Sequence, residues 1–295
     1  MNHFSLSLRV AVAVTLMAPA LAAHAGTCQA HSPAQTVAVV ELYTSEGCSS
    51  CPPADRWLTE LSRRFTAEQL LPLALHVDYW DYIGWTDEFA QARFSERQRR
   101  LSQLVASNTI YTPEVFTGMK EFRNWSDDGS FARRIEAING QPARAKIDLR
   151  LQSIAQASSA TSAEIEVKFE LDAANAGRRA QGVVVVYEKQ LSTTVRAGEN
   201  RGATLRHDNV VRYWSAPVAL NAQTGRAEWR QTLPLPADWK RENLGVAALV
   251  EDPQAGEILQ AVALPACFGL AKSTATGPSV TALKQHPSPP GDQLL

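Results

Sequence analysis

Few residue patterns in this chain settle its class alone, and what is scarce excludes a good deal. Only four of the 295 residues are cysteine. Besides Cys48-Ser-Ser-Cys51 there is no second C-x-x-C and no H-x-x-x-H. A zinc site normally needs a second ligand pair, so no metal is expected. Acidic and basic residues nearly cancel, leaving a formal net charge of -1 at pH 7. A field that weak holds neither nucleic acid nor an anionic membrane surface. Beyond the N-terminal segment no run approaches the roughly twenty apolar residues of a spanning helix, so no stable membrane insertion is expected. Internal repeats are absent as well.

What is present begins with a leader. Arg9 precedes the apolar run Val10–Met17, and Ala23-His24-Ala25 supplies the small-residue pattern that a signal peptidase reads. Residues 1–25 are expected to be a signal peptide cleaved near Ala25, leaving a mature chain in the periplasm or secreted. Cys28 follows Gly26-Thr27 rather than the small residues directly, which argues against a lipid anchor. Export makes disulfides permissible. With Cys48 and Cys51 forming one tight pair, the natural partner of Cys28 is Cys267, in a structural disulfide closing most of the chain; two buried free thiols are the alternative.

The order of elements divides the chain. Val37–Tyr43 is a short β-rich run that feeds the dithiol directly, and Trp57, Leu58, Leu61 and Phe65 then recur at helical spacing behind Pro52. A second strand follows over Leu70–Val77, then a helix capped by Thr86, a strand over Ile110–Gly118 entered through Thr112-Pro113, and a helix opened by Asp127 and Asp128. Such alternation implies a mixed or parallel sheet flanked by helices. After Pro142 the period becomes two: Ala145, Ile147, Leu149 and Leu151 alternate with charged residues, as do Ile165, Val167, Phe169 and Leu171. Residues 142–270 therefore read as an all-β, sandwich-like domain, and the Ser-, Pro- and Gly-rich tail 271–295 as disordered.

The chemistry points to the C-x-x-C. At the start of a helix, a first sulfur lies near unsatisfied N–H groups and the positive end of the dipole, which favour its thiolate. Cys48 is then the attacking thiol, and Cys51, one turn on, resolves the mixed disulfide. No cofactor is needed, and the partners are protein thiols or disulfides, with a membrane redox protein as a further candidate. Two readings compete: an interaction module with a permanent Cys48–Cys51 disulfide, and a copper(I) carrier, against which no Met or His cluster lies beside the pair.

The segments Val40–Asp55, Asp78–Trp85, Tyr111–Phe116 and Gly198–Arg212 together resemble a family of secreted thioredoxin-like proteins catalogued as domain of unknown function 1223. The resemblance implies an α/β thioredoxin-like domain, a mixed sheet flanked by helices, over residues 26–141. It also implies a cis-proline at Pro113, with Thr112 offering its backbone to a substrate chain. By the same analogy Glu41, in the strand leading to the pair, is a candidate proton acceptor for Cys51; an ordinary strand carboxylate is the alternative. His76 and Asp78 read as structural groups. The polar segment 198–212 is a candidate loop over the dithiol, bringing Arg206, His207 and Asp208 near it.

Overall fold

The computed structural model describes residues 27–155, 161–265 and 267. The leader expected over 1–25 and the tail expected from 271 lie outside the described residues. In chain order the strands and helices are β1 (Thr27–His31), β2 (Ala38–Thr44), α1 (Pro52–Arg64), β3 (Leu70–His76), α2 (Ala92–Leu104), β4 (Glu114–Thr117), β5 (Lys120–Glu121) and α3 (Asp128–Asn139). They continue with β6 (Ala145–Ala155), β7 (Thr161–Leu171), β8 (Gln181–Glu188), β9 (Leu191–Thr194), β10 (Thr204–His207) and β11 (Val210–Trp214). The last are β12 (Val218–Ala219), β13 (Arg226–Leu235), β14 (Leu244–Asp252) and β15 (Glu257–Pro265). The result is a mixed α/β protein with several sheets and few helices.

One nine-stranded sheet dominates, in the order β15-β14-β8-β11-β3-β2-β4-β5, with β12 also against β8. β2 runs parallel to β3, and β3 parallel to β11. The boundary expected near residue 142 is therefore crossed by main-chain pairing. Val210 stands opposite Ala74, and the Ala74 amide donates to the Asn209 carbonyl at 2.9 Å. β3 ends the N-terminal group of strands with an unpaired edge, and an edge buried without hydrogen bonds is costly; β11 covers it. A four-stranded antiparallel sheet, β1-β6-β7-β13, carries the alternating segments.

Three clusters of apolar side chains fill the interior. Ile147, Leu149, Ile165, Val167 and Phe169 of the smaller sheet share a core with Val184, Val186, Val246 and Ala248 of the larger one. Gly182 makes this approach possible, because a Cβ there would meet the Phe169 ring at 2.6 Å. On one face of β2, Val40 and Leu42 pack with Leu58 and Leu61 of α1 and Phe131 and Ile135 of α3. On the other, Val39 and Tyr43 pack with Phe94 and Leu101 of α2. Two-sided cover explains why all seven residues of β2 are buried.

Helix boundaries follow local chemistry. α3 starts as its acids suggest, with the Asp127 carboxylate accepting from the Ser130 amide at 2.6 Å. α2 starts at Ala92 instead of near Thr86. Between β3 and α2 the chain first makes a 3-10 turn over Asp81–Ile83 and then turns Asp87 inward. Cys28 and Cys267 form a disulfide across a Cα separation of 6.4 Å, tying β1 to the chain beyond β15. Among the described residues no helix is long and apolar enough to cross a membrane.

Candidate functional site

β2 ends at Thr44, the chain turns through Ser45-Glu46-Gly47, and Cys51 stands at the N-cap of α1. Cys48 and Cys51 are joined in a disulfide with their Cα atoms 5.4 Å apart. Both residues are 0% exposed, whereas Ser49 and Ser50 between them face solvent. The Cys48 sulfur lies 3.3 Å from Ser50 Oγ and 3.8 Å from the Thr112 carbonyl oxygen. A disulfide sulfur carries no proton, so these are contacts. The Ser50 hydroxyl donates to the same carbonyl at 3.4 Å, and the Trp80 indole N–H donates to Thr112 Oγ1 at 2.7 Å. The Thr112–Pro113 peptide bond is cis. Cys48, Cys51, Thr112 and Pro113 therefore meet at one place.

Glu41 does not join them. Successive residues of a strand face opposite ways, and Glu41 shares the α2 face with Tyr43. Its oxygens accept from Arg97 Nε and Nη2 at 2.7 and 2.8 Å and from the Tyr43 hydroxyl at 2.8 Å. Arg97 Nη2 also donates to Glu251 at 2.9 Å. Burial alone would raise Glu251, but the guanidinium holds its carboxyl below the usual range. The Tyr43 hydroxyl is pushed well above its ordinary pKa by burial first and by the Glu41 charge second. Both Glu41 oxygens are thus engaged by Arg97 and Tyr43, on the face of β2 turned to α2.

A different polar cluster lies on the dithiol side of the sheet. Glu46, Asp55, His76, Asp87 and His207 are all buried. Asp55 sits one helical turn beyond Cys51, with its amide donating to the Cys51 carbonyl at 3.1 Å. The Thr44 hydroxyl donates to Asp55 Oδ1 at 2.9 Å, and His207 Nδ1 is 3.8 Å from Asp55 Oδ2. His207 Nε2 is 3.1 Å from Glu46 Oε1, and the Trp85 indole donates to the other Glu46 oxygen at 2.9 Å. His76 Nδ1 pairs with Asp87 Oδ2 at 2.7 Å, and the two imidazoles stand edge to face with centroids 4.9 Å apart. Among the described residues His76 Nε2 and His207 Nδ1 have no hydrogen-bond partner.

Electrostatics within this cluster are uneven. Burial raises the Asp55 pKa, with the charges of His207 and His76 opposing. Burial would lower His76, but the Asp87 carboxylate beside it reverses the direction and raises it. Asp87 shifts the other way, its burial outweighed by His76. A cavity of about 740 Å³ between α1 and the β9–β10 hairpin has the buried His207 in its lining.

The segment 198–212 brings His207 to Glu46 and Asp55, and His76 pairs with Asp87. Sequence reasoning missed Glu46, Asp55, Asp87, Glu199 and Asn200. Asp55 carried a readable signal: an acid four residues beyond Cys51 falls on the same helix face. Glu199 and Asn200 are flanked by Gly198 and Gly202, both at positive φ, and they reach the dithiol loop. Ser49's amide donates to Glu199 Oε2 at 2.9 Å, and Asn200 Nδ2 donates to the carbonyls of Glu46 and Cys48 at 2.8 and 2.9 Å. Arg206 and Asp208 instead line the cavity beside α1, and Asp78 accepts from the Ser95 hydroxyl.

Comparison with known proteins places this arrangement. No curated protein matches the chain. The crystal structure of an Agrobacterium tumefaciens protein is similar at 25% identity and a TM-score of 0.51, covering 85% of this chain and 99% of that one. The structure of HBP35 of Porphyromonas gingivalis is similar at 17% identity and a TM-score of 0.60, covering 85% of this chain and 81% of that one, a likeness of fold alone. A family model described as a protein of unknown function, DUF1223, matches residues 39–251, more than half of the chain, and the protein is a member of that family.

Proposed function

We propose that this protein is an exported thiol–disulfide oxidoreductase built on a thioredoxin-like scaffold, with a β-sandwich-like second half. The observation that carries the reading is the position of the Cys48 sulfur: at the start of α1 and 3.8 Å from the main-chain carbonyl of Thr112. A substrate chain laid beside Thr112 would bring its own sulfur to Cys48. In the reduced protein the Cys48 thiolate attacks a substrate disulfide, forming a mixed disulfide and expelling the first substrate thiolate. Cys51 then gives up its proton, attacks the Cys48 sulfur and releases the second substrate thiolate, so the pair ends oxidised and the substrate reduced by two electrons. Asp55, buried one turn away with a raised pKa, accepts the Cys51 proton. Two disulfides fit an oxidising compartment.

The complete burial of both cysteines favours a second reading, in which the disulfide is permanent and the surface serves a binding partner. The reduction potential separates the two. A value near or above about -230 mV supports exchange, and one well below about -300 mV makes the bond structural. In the exchange reading Cys48→Ser abolishes turnover of a model disulfide, and Cys51→Ser accumulates mixed disulfides visible by mass spectrometry. Either variant turning over like the wild type rejects the mechanism.

A further inference from the structure

Glu199 comes from the β-rich half of the chain, yet it is held inside the C-x-x-C: the Ser49 side chain and the Ser49 amide, the latter donating to Oε2 at 2.9 Å, together lower its pKa. That amide is a scarce resource. The Cys48 and Cys51 amides already donate to the carbonyls of Ser45 and Cys48, both at 3.2 Å, and those of Ala54 and Asp55 to the Cys51 carbonyl. Pro52 and Pro53 open α1 with no N–H at all. The helix terminus thus offers a thiolate fewer donors than most, which leaves Ser49 and Ser50 to serve Cys48.

We propose that Glu199 competes with the Cys48 thiolate for the Ser49 amide and thereby lowers the reduction potential of the Cys48–Cys51 pair. The oxidised pair is neutral and indifferent to the carboxylate. Reduction delivers two electrons and two protons, and ionisation of Cys48 then sets an anion on the residue next to the amide that Glu199 occupies. Both charges cannot hold it, so the reduced form is penalised and the disulfide favoured. The carboxylate is well seated. Asn200 anchors the neighbouring carbonyls, and Gly198 at φ +72° lies so close that a Cβ would meet Ile83 Cδ1 at 3.1 Å. On the buried side lie Glu46, Asp55 and Asp87 with His76 and His207 between them, and the half-buried Asp81 accepts from the Asp87 amide. Glu199 is exposed, so its substitution disturbs no packing.

This inference deepens the redox reading and rests on it only in taking the pair to be reducible. Its test is the full mature chain with Glu199→Gln and, separately, Glu199→Ala, equilibrated in dithiothreitol buffers. There each disulfide reduced yields one cyclic dithiothreitol disulfide, and the dithiol fraction is counted by thiol trapping. The thiolate of each reduced protein is titrated by its absorbance at 240 nm. Both variants are expected to raise the equilibrium constant for reduction about threefold to tenfold, a tenfold change being about 30 mV for this two-electron couple, and to move the thiolate midpoint to lower pH. Glutamine equal to wild type overturns the proposal, and so does a shift in alanine alone, which would mark a packing effect instead of a charge. If wild type fails to turn over disulfide substrates while Glu199→Gln still shifts the equilibrium, the function falls and the tuning stands. A pair that excess dithiothreitol leaves oxidised in all three proteins overturns both.

Discussion

Buried charged groups flank strand β2 on both of its faces, and the two sets differ in how they are compensated. On the α2 face one guanidinium, Arg97, stands between Glu41 and Glu251, and every charged atom has a partner. On the α1 face three carboxylates, Glu46, Asp55 and Asp87, share two imidazoles, and two of the imidazole nitrogens are unpartnered among the described residues. Arginine does not lose its proton in a protein, so the first set keeps its cation, which ties Glu251 of β14 to Glu41 of β2. Of the second set, Asp55 has its pKa raised by burial and His76 has its pKa raised by the Asp87 carboxylate, so both are titratable groups. The second set can therefore take up and release protons, and it lies under the dithiol. Buried charge by itself identifies nothing; a buried set whose charge can change is the one suited to chemistry.

The sharpest way to break this contrast is to remove Arg97. Arg97→Met leaves Glu41 and Glu251 buried without a counter-charge, and the expected loss of stability is about 3–5 kcal/mol, read by urea unfolding of the oxidised protein. Glu41→Gln is expected to destabilise as well, while leaving the pH dependence of disulfide exchange as in the wild type. A changed pH profile in Glu41→Gln would return that residue to the dithiol and dissolve the contrast.

Much of this was legible along the chain, and the part that was not has a physical reason. The strand Val37–Tyr43, the helix behind Pro52 and the alternation in β6 and β7 are local patterns, and they appear within about a residue of where the periodicity puts them. Which face of β2 Glu41 occupies is not local, because α1 and α2 cover both faces with apolar side chains and period two alone assigns neither. The pairing of β3 with β11 joins residues 74 and 210, and no pattern in either segment names the other. Glu46 and Asp87 read as loop acids in sequence. They are buried only because His207, from β10, and His76, from β3, are brought against them.

A smaller effect, on rate, comes from the other side of β2. Asp55→Asn retains the hydrogen bond from Thr44 but cannot accept a proton, so resolution of the mixed disulfide is expected to slow about a hundredfold at neutral pH. The acid limb of the profile should vanish, because in the wild type that limb reports protonation of a carboxylate whose pKa burial has raised. Stopped-flow thiol release at several pH values checks both. An unchanged acid limb with a slower rate would make Asp55 a packing group and leave the proton acceptor elsewhere in the cluster.

The smallest effect tests whether the cluster changes charge at all. His76 has a folded pKa above its free value, because Asp87 outweighs the burial that would lower it. Its contribution to stability is full below the unfolded value of about 6.5 and fades as pH rises through the folded value. Asp87 behaves oppositely: its lowered pKa gives a contribution present above about 3.9 and lost as pH falls through the folded value. The pair should therefore be strongest in the window between about pH 4 and 6.5. His76→Gln is expected to cost about 1.5 kcal/mol there, the lower end for a hydrogen bond to a charged group, and less toward pH 9. Urea midpoints of both proteins across that range measure it. A difference that stays constant with pH would mean that His76 keeps one protonation state, and the two faces of β2 would then differ in geometry but not in the capacity to move protons.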